Sequence, residues 1–150
     1  MTQSTYLPAG LPIPVPESDG LSAPFWQGLR EHRLLVQRCT KCHQWQFGPE
    51  WLCHHCLSFE LTWQAVPPQG RIFSWERVWH PSHASLKGHT PYLVVLVELP
   101  QAGHVRMVGN LLGDPLQEVH IGEEVWGEFE PHDDADPHYT LLQWRLKDAP

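Results

Sequence analysis

Four cysteines stand at a spacing that does chemistry: Cys39-Thr40-Lys41-Cys42 and, ten residues on, Cys53-His54-His55-Cys56. A C-x2-C turn aims two thiolates at one point, and two such turns joined by a short loop supply four sulfurs in a tetrahedron. With every coordination position filled by protein, no site is left for a substrate. The expected metal is therefore structural, one zinc per chain, adding folding energy to a segment too short for its own core. A tetrathiolate also suits iron, as in rubredoxin-like electron carriers, and a single C-x2-C suits thiol redox chemistry on a βαβ unit. Two pairs beside expected β structure favour zinc over both. His43, His54 and His55 adjoin the cysteines and read as surface or supporting residues once four thiolates fill the site.

His80, His83 and His89 share one long loop at irregular spacing, and Asp133, Asp134 and Asp136 lack the rest of a calcium loop, so both groups read as solvated. No G-x-S-x-G, H-E-x-x-H, G-x-x-x-x-G-K-[ST] or strand-following G-x-G-x-x-G occurs, which lowers the expectation that this chain carries a reaction alone. Arg30, Arg33, Arg38 and Lys41 crowd into the approach to the second cysteine, near Trp26, Trp45 and Phe47. Such a cluster offers phosphate contacts beside aromatic rings, for single-stranded nucleic acid on an OB face or for the nucleotide end of coenzyme A. It equally describes a helix with a solvated basic face and inward aromatics. Trp26, Arg30, Arg33 and Arg38 are the candidate ligand- or partner-binding residues.

The elements that must position these groups follow from the punctuation. Residues 1–24 carry Pro8, Pro12, Pro14, Pro16 and Pro24 with no apolar period, and read as an extended arm. Phe25, Trp26, Leu29, Leu34 and Leu35 recur near helical spacing after Pro24, which predicts a helix over 25–36. A metal ribbon is expected over 37–66, ending in a strand-like run Glu60 to Val66, and Pro67-Pro68-Gln69-Gly70 closes it. Five short strands should follow over 67–150: Arg71 to Trp79, Tyr92 to Leu99, Val105 to Leu112, Glu124 to Phe129 and Tyr139 to Leu146. Val94-Val95-Leu96-Val97 reads as a strand buried on both faces. Five strands with a long first connection fit an OB-type barrel better than an immunoglobulin sandwich. The fold class is mainly β: arm and helix, rubredoxin-like zinc ribbon, then a five-stranded OB-fold barrel.

Composition sets the outer bounds. The chain has 150 residues, enough for one domain or a domain with a small module, and 41% hydrophobic with 18% charged residues is too apolar for a disordered protein. Ten Lys and Arg against 17 Asp and Glu, a formal charge of −7, argue against a dedicated duplex-DNA binder. The first residues lack a secretory pattern and no apolar run is long enough to span a bilayer, so the expected address is cytoplasmic, with cysteines kept reduced.

The order of parts resembles the zinc-ribbon OB-fold proteins that accompany acyl-CoA enzymes, notably thiolases, thiolase-like aldolases and acyl-CoA hydratases. The resemblance rests on Phe25 through Cys39, Cys53 through Trp63, Pro91 through Glu98, and Val105 through Leu111. It implies a non-catalytic accessory subunit of a hetero-oligomer, with Cys39, Cys42, Cys53 and Cys56 holding zinc and the helix of Arg30 and Arg33 near acyl-CoA or the partner. Such proteins commonly carry Gly after the second cysteine and Arg after the proline of the ribbon tip. Here those positions are His43 and Glu50, and Glu50 counts against a phosphate contact from the tip. The alternative is a single-stranded nucleic-acid module, which the acidic balance disfavours. No membrane partner is expected.

Overall fold

The computed structural model describes residues 15–16 and 20–147, so the expected arm falls mostly outside the described residues. Helix α1 spans Ala23–Arg30 with Pro24 in its first turn, where a missing N–H is harmless. It is shorter than the 25–36 expected from apolar spacing. The chain reverses at His32, in the left-handed region (φ 55), with Arg33 N–H reaching back to Gly28 O at 2.8 Å. Strand β1, Leu34–Cys39, then crosses the helix at Gly28. A Cβ at Gly28 would lie 2.7 Å from Leu35 Cγ, so that crossing excludes a larger residue. Leu34 and Leu35, counted as helical from spacing, are strand residues paired with Val66 and Ala65.

Strand β1 is the centre of a three-stranded antiparallel sheet, flanked by the short β2, Trp45–Gln46, and by β3, Leu61–Val66. After Pro67 and Pro68 the chain enters β4, Gln69–Val78, followed by β5, Tyr92–Leu99, β6, Val105–Asn110, β7, Glu124–His132, and β8, Tyr139–Leu146. Their order is β6-β5-β4-β7-β8, all antiparallel. A parallel bridge between Leu111 and Trp144, with Leu112 N–H on Trp144 O at 2.7 Å, brings the β6 end to β8 and nearly closes the barrel. A bulge between Ile72 and Ser74 lets β4 bend so that its start pairs with β7 and its length with β5. This is the five-stranded OB arrangement expected from the strand count.

Strand β5 differs from its reading as buried on both faces. Leu93, Val95, Val97 and Leu99 are buried, while Val94, Leu96 and Glu98 are partly exposed. A continuous apolar run here reflects one core face and one half-covered outer face. Among the described residues one core cluster runs through the fold: Leu29 of α1, Leu34 and Val36 of β1 and Val66 of β3 join Ile72, Val95, Val97, Met107, Val125 and Trp144 of the barrel. Trp45 and Phe47 of the ribbon pack against it, and Gly103 faces the Trp45 ring so closely that a Cβ would lie 2.8 Å from Cδ1. Burial of this shared apolar surface ties helix, ribbon and barrel into one unit.

Candidate metal centre and ligand surface

The two cysteine turns are built alike. Strand β1 delivers Cys39, whose carbonyl accepts from His43 N–H at 3.0 Å, and the Cys53 carbonyl accepts from Leu57 N–H at the same distance. His43 (φ 64) and Leu57 (φ 60) both adopt the left-handed conformation that closes each turn. A side chain there is strained where glycine would not be, which gives a physical meaning to His43 standing where such proteins commonly carry glycine. Backbone N–H groups also point at sulfur, from Cys42 to Cys39 Sγ at 3.5 Å and from His55 to Cys53 Sγ at 3.4 Å.

The four sulfurs lie within 4.8 Å of one another, with Cys39–Cys56 at 3.6 Å and Cys42–Cys53 at 3.5 Å. Tetrahedral Zn–S bonds of about 2.3 Å place sulfurs about 3.8 Å apart, so the donor set fits one four-coordinate metal ion. Cys39 and Cys53 are buried and Cys42 and Cys56 partly so. The Cys42 N–H, against burial, brings the Cys39 thiol down to about 7, and the Cys56 N–H likewise lowers Cys53. For Cys42 the Gln44 N–H pulls downward, but burial and the sulfurs of Cys56, Cys53 and Cys39 outweigh it and push that thiol up to about 12. Crowded thiols that cannot all ionise together are what a divalent cation relieves.

The neighbouring histidines His43, His54 and His55 are exposed, and the cysteines form the one cluster suited to a metal among the described residues. His80, His83 and His89 are exposed and dispersed, and Asp133, Asp134 and Asp136 sit in the exposed β7–β8 turn.

The candidate ligand residues do not converge. Arg30 reaches the other way, donating to His138 O at 3.3 Å on the barrel, while Arg33 pairs with Glu31 at 3.4 Å. Arg38 lies on the ribbon, its guanidinium 5.0 Å from the Trp45 ring centroid and its Nε 3.1 Å from His43 O. Trp26 is half-buried, edge-on to Phe25. The aromatics of this region thus face the core, as the helix reading with inward aromatics expects. An open groove of about 250 Å³ lies elsewhere, lined by Gln69, Arg71, Gln101, Glu124, Trp126 and Lys147. It brings together residues 69 to 147, and no local spacing in the sequence marks it.

Large apolar side chains are exposed around the second cysteine turn: Trp51 at 63%, Leu57 at 68% and Phe59 at 77%. Trp79 and Trp126 are also exposed, whereas Trp144 is fully buried. Three aromatic or aliphatic residues this exposed lie within nine positions of one another in the ribbon, and exposed apolar side chains of this size are what interfaces cover.

Residues 26–62 match the family model described as ChsH2, rubredoxin-like zinc ribbon domain, and residues 63–130 match the one described as ChsH2, C-terminal OB-fold domain. Among curated proteins, the chain is 34% identical over 125 residues to a probable enoyl-CoA hydratase alpha subunit of Thermomonospora curvata, covering 81% of this chain and 36% of that protein. It is 29% identical over 152 residues to the 3-oxo-4,17-pregnadiene-20-carboxyl-CoA hydratase alpha subunit of Mycobacterium tuberculosis, covering 93% and 45%. The chain therefore spans less than half the length of these two relatives. Among solved structures, a chain of the Ltp2-ChsH2(DUF35) aldolase superposes with a TM-score of 0.72 at 30% identity, over 89% of this chain and 98% of that one. A DUF35-family protein of unknown function from Sulfolobus solfataricus shares the fold, with a TM-score of 0.57 at 14% identity over 86% and 87%.

Proposed function

Because the chain belongs to the ChsH2 family, with its rubredoxin-like zinc ribbon and C-terminal OB-fold domain, we propose that it is a non-catalytic accessory subunit of an acyl-CoA-processing complex, most closely of the thiolase-like type. In this reading Cys39, Cys42, Cys53 and Cys56 hold one structural zinc, the partner supplies the nucleophile and acid/base groups, and this chain stabilises that partner and contributes to the acyl-CoA site. One observation carries the proposal: four thiols that can close a metal centre occur in the same ribbon as the exposed apolar side chains of Trp51, Leu57 and Phe59. A closed tetrathiolate supplies rigidity and no chemistry, and those side chains give a rigid ribbon something to dock with. The names of the relatives, hydratase alpha subunits and an aldolase of Ltp2 with ChsH2, describe members of multi-subunit enzymes and support the same reading.

Arg30, Arg33 and Arg38 are proposed to face the partner or its acyl-CoA, each from its own place on the helix and ribbon, and Trp26 to do so only with the part of its side chain that the core leaves uncovered. The ribbon over 37–66 and the barrel over 67–150 would be the working units, with the arm over 1–24 at the partner interface. Among the described residues no helix is long and apolar enough to cross a membrane, and the free cysteines suit a reducing cytoplasm. The nucleic-acid alternative draws no support from the barrel face, where Arg106 already covers the Phe73 ring at 3.5 Å.

The test is the thermal stability and turnover of a co-expressed thiolase-like or hydratase partner with and without this chain. A partner stabilised and activated by the chain, with no turnover by the chain alone, is expected. Indifference of every such partner, together with salt-sensitive binding of oligonucleotides by this chain, would replace the proposal with the nucleic-acid reading.

A further inference from the structure

Two glutamines, Gln37 of β1 and Gln46 of β2, are buried and directly paired across the ribbon. Buried primary amides need partners for two N–H donors and for an oxygen that accepts twice. Gln46 Nε2 donates to Gln37 Oε1 at 3.1 Å and to Leu52 O at 3.2 Å, and Gln46 Oε1 accepts from His54 N–H at 3.0 Å. Gln37 Oε1 also accepts from Glu50 N–H at 3.0 Å, and Gln37 Nε2 donates to Glu50 O at 3.1 Å. One of these bonds joins the two side chains. All the others run to the backbone of residues 50–54.

That backbone is the approach to the second cysteine turn, and it belongs to no strand. Gln37 lies two residues before Cys39 and Gln46 four after Cys42, so both stand on the framework of the first turn. His54 N–H lies inside the second turn, between Cys53 and Cys56. The amide pair therefore holds one cysteine turn against the other by side-chain bonds that need no metal.

We propose that Gln37 and Gln46 are positioning residues of the metal centre: a buried amide clasp that pre-sets the second C-x2-C turn at sulfur-to-sulfur range and thereby governs metal retention. The proposal rests on the ribbon's binding zinc. Supporting partners of metal ligands typically change affinity by about 10–100-fold when removed, and the clasp acts at the backbone of the ligand turn rather than on a ligand side chain.

The experiment uses the full chain and its Gln46→Leu and Gln37→Met variants. Zinc is competed against a chromophoric chelator at fixed pH, and amide hydrogen exchange is followed in the metal-loaded proteins. Gln64→Leu, on the same ribbon but outside the clasp, serves as control. Wild-type protein that takes up no zinc defeats the underlying metal reading and is scored first. With wild type binding zinc, the expected result is about 10–100-fold weaker retention in both clasp variants, loss of protection at residues 50–54, unchanged protection in β5 and β8, and near-wild-type retention in Gln64→Leu. Retention within threefold of wild type in both clasp variants overturns the proposal. So does loss of protection spread equally over the barrel, which would mark general destabilisation. If Gln46→Leu does not fold, Gln46→Glu keeps the acceptor for His54 N–H while losing the donors; wild-type retention in that variant likewise overturns the proposal, and an intermediate loss supports it.

Discussion

The closure of the barrel can be tested at one glycine. Gly109 lies in β6 opposite Val95, with Trp144 of β8 against its other side. A Cβ built on Gly109 would stand 2.6 Å from Trp144 Cδ1, 2.8 Å from Nε1 and 3.4 Å from Leu142 O. Trp144 is completely buried, so the ring has nowhere to move. In an open strand, Gly→Ala would stabilise by about 0.4–1 kcal/mol through the unfolded chain. Overpacking a fixed ring costs about 1–3 kcal/mol. The clash wins, and Gly109→Ala should be destabilising by about 1–2 kcal/mol, or about 2–8 °C in Tm for a domain of this size. The assay is a circular-dichroism melt of zinc-saturated protein. A double-mutant cycle with Trp144→Ala, which removes the whole ring including Cδ1 and Nε1, should show the alanine at 109 to be less harmful in that background. A higher Tm for Gly109→Ala, or an equal loss in both backgrounds, would refute the seam between β6 and β8.

Further outcomes follow from the metal site and the surface. Elemental analysis should find one zinc per chain, lost in Cys53→Ser; visible charge-transfer bands with iron in native material would contradict the zinc assignment. His43→Gly should relieve the left-handed strain at φ 64 and stabilise the ribbon by about 1 kcal/mol, read as slower metal loss to chelator; faster loss would show that the histidine side chain does more than occupy the turn. Glu98 is held below the ordinary carboxylate range first by its hydrogen bond to His104, at 3.1 Å, and then by Arg106, at 3.4 Å. Because the folded carboxyl titrates below its unfolded value of about 4.3, its contribution is present above that value and disappears as pH falls through the lower folded one. The Tm difference between wild type and Glu98→Gln should therefore be present at about pH 5 and shrink as the pH falls below it; a difference unchanged on acidification would refute the ion pair.

The metal centre was legible because chemistry at a metal demands fixed ligand types at fixed intervals, and Cys39, Cys42, Cys53 and Cys56 do meet within 4.8 Å. The strands were legible where turn residues bracket them: β5 and β8 span the residues expected, Tyr92–Leu99 and Tyr139–Leu146. Helix α1 was legible at its start, where Pro24 opens it, but not at its end, because apolar residues at 34 and 35 continue a helical period while the reversal at His32 breaks it. A left-handed histidine carries no signal in spacing. The same holds for Leu57. The arginines of the helix and ribbon look like a cluster in one dimension, but the reversal after α1 sends Arg30 to the barrel and Arg38 onto the sheet. Gln37 and Gln46 were overlooked because glutamine reads as a surface residue unless its pairing is known.

The measurement that bears most directly on the accessory-subunit reading is light scattering after size-exclusion chromatography of the zinc-loaded chain co-expressed with a thiolase-like acyl-CoA enzyme. A hetero-oligomer is expected, weakened in Trp51→Ala and Phe59→Ala by about 1–2 kcal/mol each without loss of zinc or fold, since both side chains are exposed. A chain that elutes alone beside every thiolase-like and hydratase partner, and binds no acyl-CoA, would contradict it.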